Sequence, residues 1–298
     1  MTTSHRTLFV LIALMAALFA CAGGVWFMMR AEPSQEPTVI QKLFPPVLSI
    51  NPDALTAHAA ALYDPTSGRM LFSKNLNEPL PLASLTKVMA AETVLANLPP
   101  DLSVIITPEA LRPEGDSGLH AGESWSLRNL LLYGLVASSN DAMAAAVGSL
   151  GEGAMDIMNR EASRLGLTQT YFLNPTGLDY NTEISGAYGS ARDVAVLATA
   201  FMREHPDYFS ATSKQSITID LSDRTIEAAA TAAPLYSTPG FIGAKTGYTD
   251  LAGGNLVAAF DLEVGRPLIG VVLGSTRDGR FADMQTLITA ARAAATDQ

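Results

Sequence analysis

The sequence predicts an α/β fold: one antiparallel sheet formed by both chain ends, flanking helices, and an all-helical lobe supplied by the middle of the chain. Three observations carry this. Strand-length apolar runs cluster at 57–74 and again at 241–275. Between them, apolar residues recur at helical rather than alternating spacing. At each end the strand runs are joined by short turns containing Gly, Pro or Asp, so each end forms hairpins, and sequential hairpins build antiparallel sheets.

Composition sets the outer limits. The chain has 298 residues, 48% hydrophobic and 16% charged, enough for a sizeable core in one large or two intergrown domains. The net charge is −10. Residues 1–30 hold Arg6, Arg30 and no acid, so 31–298 carries 17 bases against 29 acids. Such a surface argues against nucleic acid as a partner, because phosphates need basic groups. Cys21 is the only cysteine and lies in the apolar leader, so the rest has no disulfide or thiolate metal site, which is compatible with export. His5, His58, His120 and His205 show no metal-ligand spacing, and no cofactor motif is present; neither metal nor cofactor is expected.

The elements follow in order. Residues 8–29 are 22 positions without a charge, flanked by Arg6 and Arg30. That length spans a bilayer, so 1–30 reads as an N-terminal transmembrane anchor with its N-terminus inside. Cleavage after Ala20-Cys21-Ala22 is the alternative; Phe19 disfavours a lipoprotein signal at Cys21. Residues 31–54, with Pro33, Pro37, Pro45 and Pro46, form an extended tether. The catalytic domain is expected over 55–298. Runs 57–63 and 69–74 flank Asp64-Pro65-Thr66-Ser67-Gly68, a turn in which Pro fixes φ and Gly permits φ > 0.

After a loop, 82–98 is apolar nearly all round and reads as a buried helix stopped by Asn97, Pro99 and Pro100. The helical lobe then occupies about 98–210. Ser126 caps a helix that Trp125 can staple onto Leu130, with Leu127, Leu131, Gly134 and Leu135 inward. Helices are expected from 141 to 150, over 153–165 with Gly166 as its stop, and over 191–203 behind the Ser190/Asp193 capping pair. Run 215–221 alternates like a strand. Runs 241–248, 255–262 and 268–275 are apolar strands, and 281–291 closes the chain as a helix with Phe281, Met284, Ile288 and Ala291 on one side.

The chemistry centres on Ser84-Leu85-Thr86-Lys87 at the start of the 82–98 helix. Residues three apart on a helix lie one turn from each other. A hydroxyl is a poor nucleophile, but a neutral amine one turn away can take its proton. Lys87 and Glu92 are the only charged residues between Ala83 and Leu98. A lone S-x-x-K is common by chance. Two further elements follow it. Ser138-Ser139-Asn140 lies at a break between helices, where a polar pair can face a cleft, and Lys245-Thr246-Gly247 lies on a strand, where Gly lets a ligand backbone approach. That ordered set is the signature of penicillin-recognising serine enzymes.

With these motifs the chain resembles the low-molecular-mass penicillin-binding proteins, the serine-type D-alanyl-D-alanine carboxypeptidases. The resemblance covers about 55–295 and includes Asn174-Pro175-Thr176-Gly177-Leu178 and Ser190-Ala191-Arg192-Asp193. It implies a β-lactamase/transpeptidase-like fold with the active site in a cleft between sheet and helical lobe. It also implies peptidoglycan stem peptides as substrate, β-lactam antibiotics as covalent inhibitors, and a membrane-held enzyme on the periplasmic or extracytoplasmic side. Ser84 would attack the carbonyl between the last two D-Ala residues. Lys87 would be its base, kept neutral by burial and by the cation Lys245. Ser138 would relay a proton to the leaving amine; Asn140 would hold the peptide amide and orient Lys87. By resemblance, the N–H groups of Ser84 and Tyr248 form the oxyanion hole. Lys245, Thr246 and Arg280 would bind the substrate carboxylate, with Arg277 as rival to Arg280, and Gly247 would line the substrate groove.

The sequence also departs from the family. Thr231-Ala232-Ala233-Pro234-Leu235 stands where relatives often carry Asn residues. Many relatives have a C-terminal β-rich domain and an amphipathic anchor; neither is expected here, and the N-terminal segment would serve instead. Class A β-lactamases use a Glu to activate the deacylating water, but Thr170 stands at that offset, which disfavours β-lactamase activity. A D,D-endopeptidase of the same fold is the nearest rival reading, and a catalytically silent cell-wall-binding scaffold the most distant.

Overall fold

Local chemistry starts the first hairpin. Asp64 closes its own turn: its carboxylate accepts from Thr66 N at 2.8 Å and from Ser67 Oγ at 2.8 Å, and Gly68 takes φ +71°. This joins β1 (Ala59–Asp64) to β2 (Arg69–Lys74). The computed structural model describes residues 48–115, 118–221 and 224–296, which fall in one compact unit. A short β3 (Leu80–Pro81) leads into a 3₁₀ turn, Ala83–Leu85, and then α1 (Thr86–Asn97). The sequence predicts one helix over 82–98. Its first turn is 3₁₀ instead, entered through Ala83 at φ +48°.

The middle follows largely as the capping signals predict. Strands β4 (Ser103–Ile105) and β5 (Ser124–Ser126) pair, and Ser126 Oγ then accepts from Asn129 N to start α2 (Leu127–Val136). Trp125 lies in β5, one residue before that cap, and stacks on Tyr133 at 5.8 Å. Helices α3 (Asn140–Gly148) and α4 (Ala154–Arg164) come next, followed by β6 (Tyr171–Phe172) and β7 (Ala187–Gly189). Ser190 Oγ accepts from Asp193 N at the start of α5 (Ala191–Glu204), and α6 (Pro206–Ala211) follows directly.

The strand expected at 215–221 is β8 (Ser216–Asp220). It pairs with β9 (Thr225–Ala229) in a separate hairpin. The partner strand went unread because Thr-Ile-Glu-Ala-Ala carries only one large apolar residue. Strands β10 (Phe241–Thr249), β11 (Gly253–Asp261) and β12 (Pro267–Ser275), then α7 (Gly279–Thr296), complete the described chain.

The main sheet runs β10-β11-β12-β1-β2, antiparallel throughout, and the two chain ends meet where Ala59 pairs with Leu273. Alternation along each strand divides the core. Ala59, Ala61, Val257, Ala259, Val271 and Leu273 face the helices of the middle, α1 and α5 among them, in one continuous cluster. Ala60, Leu62, Leu256, Phe260 and Val272 face Met284, Leu287 and Ile288 of α7. Because both faces are covered, these strands read in the sequence as unbroken apolar runs. Buried Asp283 pins α7 to the sheet by accepting from Thr56 N, Thr56 Oγ1, Ala57 N and Ser275 Oγ.

In residues 48–54, expected as the end of the tether, side chains 51–54 are exposed and Leu48 is held against the domain. Leu48 is buried and its N–H donates to Leu71 O at 2.7 Å, while Lys74 Nζ donates to Pro52 O. The expected anchor at 1–30 and the rest of the tether lie outside the described residues. Among the described residues, no helix is long and apolar enough to cross a membrane.

Candidate active site

Lys87 is fully buried, and its amine has three neighbours. Nζ lies 2.6 Å from Ser84 Oγ, 2.7 Å from Asn140 Oδ1 and 3.2 Å from Thr176 O. Two of these atoms can only accept. A neutral amine has two N–H groups and one lone pair. In that neutral form it could donate to Asn140 and Thr176 and keep its lone pair for the Ser84 hydroxyl proton. Burial, and then the charge of Lys245, push the amine well below its usual 10.5. The sequence reading asked for partial burial; the observed burial is complete, because α1 is enclosed by α3, α4 and α5 within one core.

The second wall comes from the break between α2 and α3. Ser138 sits at φ +61°, an uncommon conformation for a side chain with a Cβ, and its Oγ accepts from Lys245 Nζ at 2.8 Å. Asn140 begins α3, and its Nδ2 donates to Glu114 O, which turns Oδ1 toward Lys87.

The third wall is β10. Lys245 is buried and donates also to Thr246 O at 2.9 Å; burial, with Arg280 as the next cause, lowers it to about 7. Thr246 Oγ1 donates to Thr231 Oγ1 at 2.6 Å, so the divergent 231–235 block has a structural link to this strand.

Gly247 also has a packing purpose beside the ligand approach its sequence context suggests. A Cβ there would lie 3.0 Å from Leu82 O and 3.1 Å from Ser84 N. The missing side chain lets β10 press against the turn that carries Ser84; the close backbone is the protein's own. Tyr248 is exposed, and the Arg277 guanidinium lies 4.6 Å above its ring. Arg280 is buried and donates from Nη1 to Gly247 O at 2.6 Å. That bond orients β10, so Arg280 acts on the site through the strand and through its charge on Lys245.

Two contributors were missed. Thr176 O is a direct partner of Lys87, and Gly177 makes its approach possible. The block 174–178 was visible as a resemblance, but its purpose was not. Asn174 Oδ1 gathers Thr176 N, Thr176 Oγ1 and Gly177 N, while Nδ2 donates to Leu178 O. Gly177 holds φ +78°, and a Cβ there would collide with Ala83 O and C. Gly177→Ala is therefore expected to destabilise the fold by about 2 kcal/mol or more, lowering Tm by several degrees. It should also slow acylation by fluorescent penicillin, because the loop that holds Lys87 must retreat. An unchanged melting curve with unchanged labelling would contradict this.

Thr170, at the offset of the β-lactamase glutamate, donates its hydroxyl to Asp193 Oδ2 at 2.9 Å. Beside the cleft, a cavity of about 890 Å³ is lined by Glu109, Glu114, Thr176, Asp179 and Tyr248 among others.

A Ser–Lys pair enclosed by a Ser-x-Asn turn and a Lys-Thr-Gly strand defines a serine acyl-transfer site of the penicillin-recognising class. The model of peptidase family S11, described as D-alanyl-D-alanine carboxypeptidase, matches residues 47–277, and the chain belongs to that family. D-alanyl-D-alanine carboxypeptidase DacF of Bacillus subtilis is 32% identical over 213 residues, covering 65% of this chain and 51% of that protein. A D-alanyl-D-alanine endopeptidase of Pseudomonas aeruginosa is 32% identical over 158 residues, covering 51% of this chain and 49% of its own length. The chain thus spans about half the length of these two curated relatives. The structure of penicillin-binding protein D2 from Listeria monocytogenes, in its ampicillin-bound form, matches with a TM-score of 0.70 and 29% identity, covering 80% of this chain and 97% of that one.

Proposed function

We propose that this protein is a serine D,D-carboxypeptidase that removes the terminal D-Ala from peptidoglycan stem pentapeptides through a Ser84 acyl-enzyme, and that β-lactams acylate the same serine. The observation that carries this is the Lys87 amine, buried beside Ser84 Oγ at 2.6 Å with its other two neighbours both acceptors.

In this reading Ser84 Oγ passes its proton to Lys87 Nζ as it attacks the penultimate D-Ala carbonyl. The backbone N–H groups of Ser84 and Tyr248 receive the oxyanion. Ser138, hydrogen-bonded to Lys245, relays a proton to the departing D-Ala amine, and Asn140 holds the peptide amide. Lys245 and Thr246 attract the substrate carboxylate. Water then releases the shortened stem peptide. The uncharged 8–29 segment supports retention at the cytoplasmic membrane, with the catalytic unit on the periplasmic or extracytoplasmic side where this substrate lies.

Products decide the reaction. Incubation of the full chain with a defined pentapeptide stem should release free D-Ala, while a crosslinked muropeptide dimer should stay intact. The likeness to the Pseudomonas aeruginosa endopeptidase gives the rival its footing: cleavage of the dimer without D-Ala release would favour it.

The pH profile has two expected limbs. Protonation of Lys87 removes the base, so acylation falls on the acid side. Lys245 is a cation below about 7 and neutral above it, so carboxylate attraction weakens as pH rises through 7. KM for the pentapeptide should therefore climb above neutrality while kcat holds. A KM independent of pH from 6 to about 9 would remove Lys245 from carboxylate binding.

A further inference from the structure

Away from the cleft, α1 carries a second charged residue in its buried stretch. Glu92 lies five positions after Lys87, with a side chain fully enclosed. Neither carboxylate oxygen accepts a hydrogen bond, and the nearby His205 Nε2, 3.5 Å from Glu92 Oε2, is likewise buried without a hydrogen-bond partner. Glu204 completes the group: one ligating atom each from Glu92, Glu204 and His205 all lie within 4.8 Å of one another.

A buried carboxylate with no hydrogen-bond donor is costly, and the protein's own cation reaches this one only at long range. Arg164 lies 3.8 Å from Glu92 Oε1 but is committed to Glu161 Oε1 at 2.6 Å. The two remaining carboxylates, Glu92 and Glu204, face a histidine that keeps a lone pair when neutral.

We infer that Glu92, Glu204 and His205 form a binding site for a divalent transition-metal cation, with zinc as the fitting ion. Two carboxylate oxygens and one imidazole nitrogen are a donor set that zinc takes readily, at about 2.0–2.2 Å per ligand. Small side-chain rotations suffice, because Glu204 is exposed and Arg164 can swing outward on Glu161. A cation there would tie α1, which bears Lys87, to the end of α5. The sequence hid this site, since Glu92 stands 112 positions before Glu204 and the histidines showed no ligand spacing.

The test uses the full chain stripped with EDTA and titrated with Zn²⁺ alone. The expected result is one bound Zn²⁺ per chain by calorimetry, with Tm raised by about 5 °C or more at saturating metal. Glu204→Gln changes an exposed residue and should fold normally while weakening Zn²⁺ binding ~100-fold; His205→Asn should do the same. An X-ray anomalous map of Zn²⁺-loaded crystals should show the metal between these three side chains. A wild-type Tm unmoved by Zn²⁺, binding equally tight in both variants, or an anomalous peak elsewhere would each overturn the site.

Discussion

Ser84→Ala is expected to abolish covalent labelling by fluorescent penicillin and to lower D-Ala release from a pentapeptide by about 10⁴-fold or more. The variant removes one oxygen from a partly buried position, so the circular dichroism spectrum and Tm should stay close to wild type. The effect is large because the proposed acyl bond forms at that oxygen; Ser138 Oγ accepts from Lys245 and Thr176 Oγ1 donates to Asn174. Persistent labelling of the alanine variant would sink the serine-acylation proposal. Retained labelling at Ser138 in a mapped peptide would move the nucleophile to another wall of the same cleft.

Lys87→Met is expected to slow acylation by ~10³-fold or more while leaving a folded protein. Methionine fills much of the same volume, but Asn140 Oδ1 and Thr176 O then lose a donor, each at a cost of about 1–3 kcal/mol. Against this stands the relief of no longer burying an amine. The sign follows from linkage. Folded Lys87 holds its proton less tightly than the usual 10.5, so between its lowered value and 10.5 the unfolded chain binds more protons, and wild-type stability rises with pH across that window. Urea midpoints should thus find the methionine variant gaining on wild type as pH falls from about 10.5 toward neutrality. Lys87→Arg separates chemistry from charge. Its guanidinium stays protonated and cannot act as base, so acylation should be as slow as in Lys87→Met. A fast Lys87→Arg enzyme would show that positive charge, not a neutral amine, is what Ser84 needs.

The two proposed roles of α1 are physically linked. A helix enclosed on nearly every side can hold a lysine neutral, and the same enclosure leaves Glu92 in need of an external counter-charge. Lys87 finds acceptors in Asn140 and Thr176. Glu92 finds no donor, which is why the two buried charges on one helix lead to different chemistry.

Much of this protein was legible one residue at a time. Hairpin ends followed from Asp64 and Gly68, helix starts from Ser126 and Ser190, and the two-faced sheet from unbroken apolar runs in β11 and β12. The reactive set was legible because spacing on a helix, at a helix break and on a strand is local information. What depends on approach between distant segments was not. That Gly247 also lets β10 approach the turn at Leu82 and Ser84 shows only in the fold. That Arg280 Nη1 donates to Gly247 O is likewise visible only in the fold. Thr176 had no assigned purpose until the Asn174 turn aimed its carbonyl at Lys87. Backbone carbonyls and missing side chains leave no distinctive letter in a sequence. The sequence by itself determined which groups are candidates to react. The tertiary structure set how far the amines' proton affinity falls, because burial and the nearness of Lys245 to Lys87 depend on three walls closing together.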